Sequence, residues 1–192
     1  AFRMLSLDKP TDSFEINVFK RDSHGAILAG TNLGLYRLRI GENFLDASWN
    51  KLLSLEDISS LAIAQNGSIF IGTWLSGLYL WNPYNPSSRP EKITALPFNF
   101  ITGLFIDREN SLWVASDEGV ALVQETAFSP LELAGKNVFT RSVVTTNKNT
   151  VLVVAHHGVF EISKTNGDYQ EEKVFSSGTG RFYQPAGDSS GV

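Results

Sequence analysis

The chain has 192 residues, 42% hydrophobic and 19% charged, and a formal net charge of −4 from 16 Lys and Arg against 20 Asp and Glu. This is a globular rather than a disordered balance, and no Lys/Arg run exceeds Lys20-Arg21, which excludes a nucleic-acid surface built on clustered positive charge. The absence of cysteine rules out disulfide frameworks, thiolate zinc sites and thiol nucleophiles, and no stretch approaches the roughly 20 apolar residues of a membrane helix.

From the N-terminus, Phe2 to Leu7 is a short apolar segment, and Ile16 and Phe19 then open an alternating strand. A tight turn follows at Asp22-Ser23-His24-Gly25, where Asp22 is expected to cap backbone amides. Ile27-Leu28-Ala29 is an unbroken apolar run, closed by the small Gly30 and by Thr31. A second turn ends at Gly34, Leu35-Tyr36-Arg37-Leu38 forms a third strand, and a fourth lies around Trp49–Leu53. One turn of helix is also expected between Asn43 and Leu55; helix signal is otherwise nearly absent.

The same events then return. Ile58, Leu61 and Ile63 precede the turn at Gly67; Ile69-Phe70-Ile71 leads into Gly72-Thr73; after Gly77 come Leu78-Tyr79-Leu80-Trp81 and a mixed strand at Glu91–Thr94. Ile101, Leu104 and Ile106 precede Asn110, Leu112-Trp113-Val114 leads into Ala115-Ser116, and after Gly119 come Val120 to Val123 and Pro130–Leu133. The fourth round has Thr140, Val143 and Thr145 before Asn149, Val151-Leu152-Val153, then Gly158, Val159 to Ile162 and Glu172–Phe175. The first turn recurs at intervals of 42, 43 and 39 residues and the second at 43, 42 and 39. Two independent markers share one period.

A repeat of roughly 40–45 residues with four strands is the signature of a propeller blade. The unbroken second strands suit burial on both faces, and the small residues after them let adjacent sheets approach. The alternating first strands are expected innermost, around a central channel, and the mixed fourth strands at the exposed edge. The fold class is therefore all-β, a β-propeller fragment of about four four-stranded blades over residues 14–55, 56–97, 98–137 and 138–177. Partial flanking blades are expected on either side. Residues 1–9 read as the outer strand of a preceding blade, and Asp188 with Gly191 repeats the first turn, so 178–192 read as the start of a further blade. Blades lacking neighbours expose apolar faces, so the chain is expected to self-associate as a homo-oligomer.

The stretch from Asp107 to Val120, with Leu112-Trp113-Val114-Ala115-Ser116 and Gly119-Val120, resembles the two-component regulator propeller repeat. Ile69-Phe70-Ile71-Gly72-Thr73 with Gly77-Leu78-Tyr79 is similar to it, as is Ala29-Gly30-Thr31 with Gly34-Leu35-Tyr36. The fourth repeat departs, with Val154-Ala155 and then His156-His157. The resemblance implies a periplasmic, dimeric sensor region of a membrane-anchored bacterial receptor. Its output would be a histidine kinase or diguanylate cyclase, and its ligand a small molecule or oligosaccharide.

The candidate ligand-binding residues lie in loops on one blade rim: Asn32, Trp74, Asp117, His156 and His157 in the second turns, and Arg141 with Asp57 and Asn99 from connections between blades. Trp74 beside polar groups suits stacking on a sugar ring, against packing between blades. Neighbouring His156 and His157 point to opposite faces of an extended chain and have no ligand set at metal spacing, so no metal and no cofactor is expected. No catalytic residue emerges: there is no nucleophile elbow, no pair of carboxylates placed across a cleft and no phosphate loop. Asn66-Gly67-Ser68 matches a glycosylation sequon but sits in a tight turn and carries no weight. The reading is a non-catalytic sensor module with no nucleic-acid or membrane contact of its own. Its alternatives are a propeller lyase or hydrolase acting on carbohydrate and a protein-interaction scaffold.

Overall fold

A computed structural model describes residues 13–40, 47–96, 98–124, 127–131, 139–146, 150–156, 158–165 and 168–176. The expected flanking-blade segments, 1–9 and 178–192, lie outside the described residues, and so does His157. Among the described residues sixteen strands follow in chain order. The first sheet holds β1 (Ile16–Arg21), β2 (Ile27–Thr31), β3 (Gly34–Ile40) and β4 (Ala47–Leu53), and the second β5 (Ile58–Ile63), β6 (Ile69–Thr73), β7 (Leu78–Trp81) and β8 (Glu91–Ile93). The third holds β9 (Ile101–Ile106), β10 (Leu112–Ser116), β11 (Val120–Gln124) and β12 (Ala127–Leu131), and the fourth β13 (Thr140–Thr145), β14 (Thr150–Ala155), β15 (Gly158–Thr165) and β16 (Asp168–Ser176). Each sheet is an antiparallel meander of four neighbouring strands, so each repeat is one blade.

No helix occurs among the described residues. The helical turn expected between Asn43 and Leu55 is replaced, in its described part, by β4, where Trp49 pairs with Leu38. The Trp49 ring meets the Phe14 and Tyr36 rings edge-on, with centroids 5.1 and 6.3 Å away, and that packing favours the strand over the weak local helix signal. The outer strand expected at Pro130–Leu133 instead begins at Ala127, which pairs with Gln124 at the end of β11.

The first strands are the innermost ones. β5 packs against β1 on one side and β9 on the other, and β13 packs against β9. The core therefore lies between sheets rather than within them. Leu28 and Leu35 of the first blade meet Ile58, Leu61, Ile69 and Ile71 of the second; Leu78 of the second meets Ile101, Leu104, Leu112 and Val114 of the third. Trp113 and Leu122 of the third meet Val143, Val153 and Phe160 of the fourth. Fully burying one such side chain is worth roughly 1.5–3 kcal/mol, and none of that burial is available to a blade standing alone.

Two devices bring the blades together. A Cβ on Gly30 would lie 2.5 Å from Ile58 Cγ2, and one on Gly72 would lie 2.6 Å from Ile101 Cγ2. The isoleucine that opens each next inner strand thus occupies the space over the glycine, which is why the run ends in a small residue. The second device is polar. Asn17 Nδ2 donates to Ile58 O at 2.9 Å, Ser59 Oγ to Ile101 O at 2.6 Å and Thr102 Oγ1 to Thr140 O at 2.6 Å. These donors hold the same repeat position, one residue into each inner strand, and tie it to the start of the next. Arg141 stands fourth in that series.

Candidate functional site

In the first three blades the small residue near the end of the second strand is followed by a hydroxyl that fastens the second turn. Thr31 Oγ1 donates to Gly34 O at 2.7 Å, Thr73 Oγ1 to Gly77 O at 2.9 Å and Ser116 Oγ to Gly119 O at 3.0 Å. The next residue then turns its amide toward the inner strand of its own blade. Asn32 N donates to Glu15 O at 3.2 Å, Trp74 N to Asp57 O at 3.0 Å, Asp117 N to Phe100 O at 3.4 Å and His156 N to Phe139 O at 3.0 Å. One bond repeated in four blades sets four residue pairs around a single rim at the channel mouth. Asp57 adopts φ 53°, a left-handed conformation that Asp tolerates better than most residues. In it, the Asp57 amide reaches Asn32 O of the first blade at 3.1 Å while its carbonyl accepts from Trp74.

Along this rim the rings form a continuous row. Trp74 and Phe100 lie 5.0 Å apart, Phe100 and Phe139 6.0 Å, and Phe139 and His156 6.5 Å, all between centroids and all inclined to one another. The row crosses three blades, and each of its four members is half-buried. The guanidinium of Arg141 sits 5.5 Å from the Phe139 centroid, within the range of a cation–π contact. Asp117 Oδ1 and Arg141 Nε are buried and make no hydrogen bond among the described residues.

Of the residues expected at the site, Trp74 and His156 are in the row and Arg141 is stacked on it. Asp117 belongs to the same ring of turns. Asn32 does not present a free amide: its Oδ1 accepts Glu15 N at 3.0 Å and its Nδ2 donates to Ser13 O at 2.6 Å, fastening the approach to β1. Asn99 is likewise spent between blades, accepting Gly77 N on its carbonyl at 2.9 Å and Lys92 Nζ on Oδ1 at 3.3 Å. His157 lies outside the described residues. Phe100 and Phe139 were missed by sequence reading. They share one repeat position, but Glu15 and Asp57 hold that position in the first two blades, so no periodic aromatic signal exists.

The opposite rim is built by the first turns. Asp22 Oδ1 accepts the amides of His24 at 3.0 Å and Ala26 at 2.7 Å, and Asp107 Oδ1 accepts those of Glu109 and Ser111, both at 2.9 Å. The other carboxylate oxygen holds a ring in each case. Asp22 Oδ2 takes the Tyr84 hydroxyl of the second blade, and Asp107 Oδ2 takes Trp113 Nε1 at 2.8 Å. Tyr84 also lies against His24, 4.2 Å between centroids, and under Arg37, 5.8 Å from its guanidinium carbon.

Burial alone would raise the Asp22 carboxyl, but the Tyr84 hydroxyl, the Ala26 and His24 amides and the Arg37 charge together hold it below 3.8. Burial, and then the bond and charge of Asp22, push the Tyr84 phenol above 10.0. A lowered carboxyl stabilises the fold fully above its unfolded-state pKa, and that contribution is lost as pH falls through the folded value. The stability advantage of the native chain over Tyr84→Phe is therefore expected to be constant at neutral pH and to shrink in acid, below 3.8. Urea midpoints measured at neutral pH and across the acid range check this; an advantage that grows in acid overturns it.

Among the described residues no group of three or more His, Asp or Glu side chains gathers where a metal could be held. Residues 95–118 match the family model described as Two component regulator propeller, so the chain carries a repeat of that family, over β9 and β10 of the third blade. No curated protein sequence matches the chain. Among solved structures, the extracellular domain of a putative hybrid two component system from B. thetaiotaomicron superposes with a TM-score of 0.70 at 16% identity, covering 90% of this chain and 24% of that one. The extracellular domain of a putative one component system from the same organism gives 0.59 at 16% identity, covering 87% of this chain and 29% of that one. Virginiamycin B lyase from Staphylococcus aureus gives 0.69 at 14% identity, covering 92% and 61%. At such identities the likeness is one of fold, and this chain spans about a quarter of the first structure.

Proposed function

We propose that this chain, which carries a two component regulator propeller repeat, is the non-catalytic ligand-binding part of a bacterial membrane signalling receptor, facing the periplasm. The observation that supports it best is the row Trp74–Phe100–Phe139–His156 along one channel rim. Half-exposed rings offer apolar faces to the C–H side of a sugar ring, and the polar tips around them meet its hydroxyls. Asp117, Arg141 and His156 are the groups placed to do so. A row running over three blades suits an extended ligand better than a compact one, which favours an oligosaccharide. The family match over residues 95–118 supports the setting, and the extracellular sensor domains are similar in fold, as the lyase is.

A panel of oligosaccharides and small metabolites, followed by thermal shift and tryptophan fluorescence, tests the proposal. A hit is expected whose affinity falls roughly three- to tenfold in Trp74→Ala or Phe100→Ala, the worth of one aromatic contact. A hit insensitive to both substitutions overturns the rim as the site. Appearance of a new product from the bound compound overturns the non-catalytic reading.

A further inference from the structure

The grooves between blades, on the rim of the first turns, are not alike. In the groove between the first and second blades, Tyr84 comes over from the β7–β8 connection of the following blade and bonds Asp22 of the preceding one. Between the third and fourth, Tyr169 at the start of β16 meets Trp113 edge-on, 5.6 Å between centroids, and the indole of Trp113 bonds Asp107. Both grooves thus combine an aspartate on the preceding blade with a tyrosine from the outer hairpin of the following one. The middle groove has neither. Ala64 stands where Asp22 and Asp107 stand in their blades, shown by the matching turn bonds Gly67 N to Ala64 O at 2.9 Å and Asn110 N to Asp107 O at 3.0 Å. Between β11 and β12 the third blade has only Glu125 and Thr126, neither of which carries a ring.

The space this leaves is a cavity of about 570 Å³, within the usual size range of small-molecule sites. Its apolar floor includes Phe70, Leu80 and Ile106, and its polar wall Ser68, Glu109 and the buried Ser111. The floor is in register with the filled groove, since Phe70 pairs with Leu80 as Trp113 pairs with Leu122. Phe70 therefore holds the place from which Trp113 receives Tyr169. We infer that the groove between the second and third blades binds a hydroxylated aromatic ring supplied from outside the described fold, the ring packing on Phe70 and its hydroxyl reaching the polar wall of Ser68, Glu109 and Ser111. The ligand chemistry is that of a tyrosyl side chain, whether carried by a free phenolic compound or by a peptide.

The test is an amide-resolved NMR titration of the folded 192-residue chain with 4-methylphenol, with a short tyrosine-containing peptide, and with cyclohexanol as a hydroxylated ring without a π face. Saturable shifts confined to the turns at Asn66–Ser68 and Glu109–Ser111 are expected for the phenol, and weaker ones for cyclohexanol. Ala64→Leu, which narrows the cavity from its wall, is expected to weaken phenol binding by about tenfold or more, and Phe70→Leu by roughly three- to tenfold. Tighter binding of the peptide than of the phenol points to a protein source and equal binding to a small molecule; either supports the site. Shifts scattered over the surface, equal response to cyclohexanol, or binding unchanged in both variants overturns it.

Discussion

Gly72→Ala is expected to be among the most damaging single-methyl additions in this chain, although the new side chain is the smallest possible. The added Cβ would lie 2.6 Å from Ile101 Cγ2 and 3.0 Å from Ile101 Cβ, well inside van der Waals contact. Ile101 cannot move aside, because it is fully buried and its carbonyl is held by Ser59 Oγ at 2.6 Å. The second and third blades must separate instead, and that opens the layer containing Leu78, Leu104 and Val114. Overpacking of this kind costs about 1–3 kcal/mol or more, a large share of a total near 5–15 kcal/mol. A fall in Tm of roughly 5–10 °C is expected by calorimetry. The double variant Gly72→Ala/Ile101→Ala decides whether the contact is responsible. The alanine at 101 gives the new methyl room, so the double variant is expected to be more stable than the sum of the two single effects by about 1 kcal/mol or more. Strict additivity sinks the account.

Asp107→Ala is expected to cost about 3–5 kcal/mol, since one carboxylate satisfies three donors at once. Two of them, Glu109 N and Ser111 N, shape the turn, and the third is the indole N–H of Trp113. Trp113 is 2% exposed, so its N–H loses its protein partner when the carboxylate goes and can gain at most a water in the space vacated. The indole is also the platform for Tyr169 and part of the layer between the third and fourth blades, which carries the damage from a turn into the core. Asp107→Asn keeps an acceptor for the turn amides but opposes an amide N–H₂ to the indole N–H, so its stability is expected between native and Ala. Urea unfolding followed by tryptophan fluorescence gives the order, and the indole proton resonance reports the lost bond. Equal stability of all three chains would falsify the assignment.

The architecture was legible because a propeller writes itself into its sequence one blade at a time. Strands of a blade pair with their chain neighbours, so the apolar runs and the turns at Gly25, Gly67 and Asn110 (φ 80°, 82° and 63°) mark both the elements and their partners. The small residue after each second strand could be assigned its purpose from type alone, and Gly30 and Gly72 do lie beneath Ile58 and Ile101. The rim was legible only in part. Trp74 and His156 were visible as odd residues in a repeated turn, whereas Phe100 and Phe139 stand at a position that Glu15 and Asp57 hold in the first two blades, so no repeat marks them. Asn32 showed the polar character of a ligand contact, but its amide is consumed by backbone groups of Ser13 and Glu15.

Periodicity and residue type, then, determined the all-β class, the blade order, the inner position of the first strands and the capping role of Asp22, because each depends on interactions among residues close in sequence. What lies between blades was decided only by the tertiary structure. The aromatic row, the Asn17–Ser59–Thr102 ties and the crossing of Tyr84 to Asp22 join residues about 17–62 positions apart, and the open middle groove depends on what the neighbouring blades do not place there. Their geometry follows from the angle at which one sheet packs on the next, and no local pattern encodes that angle.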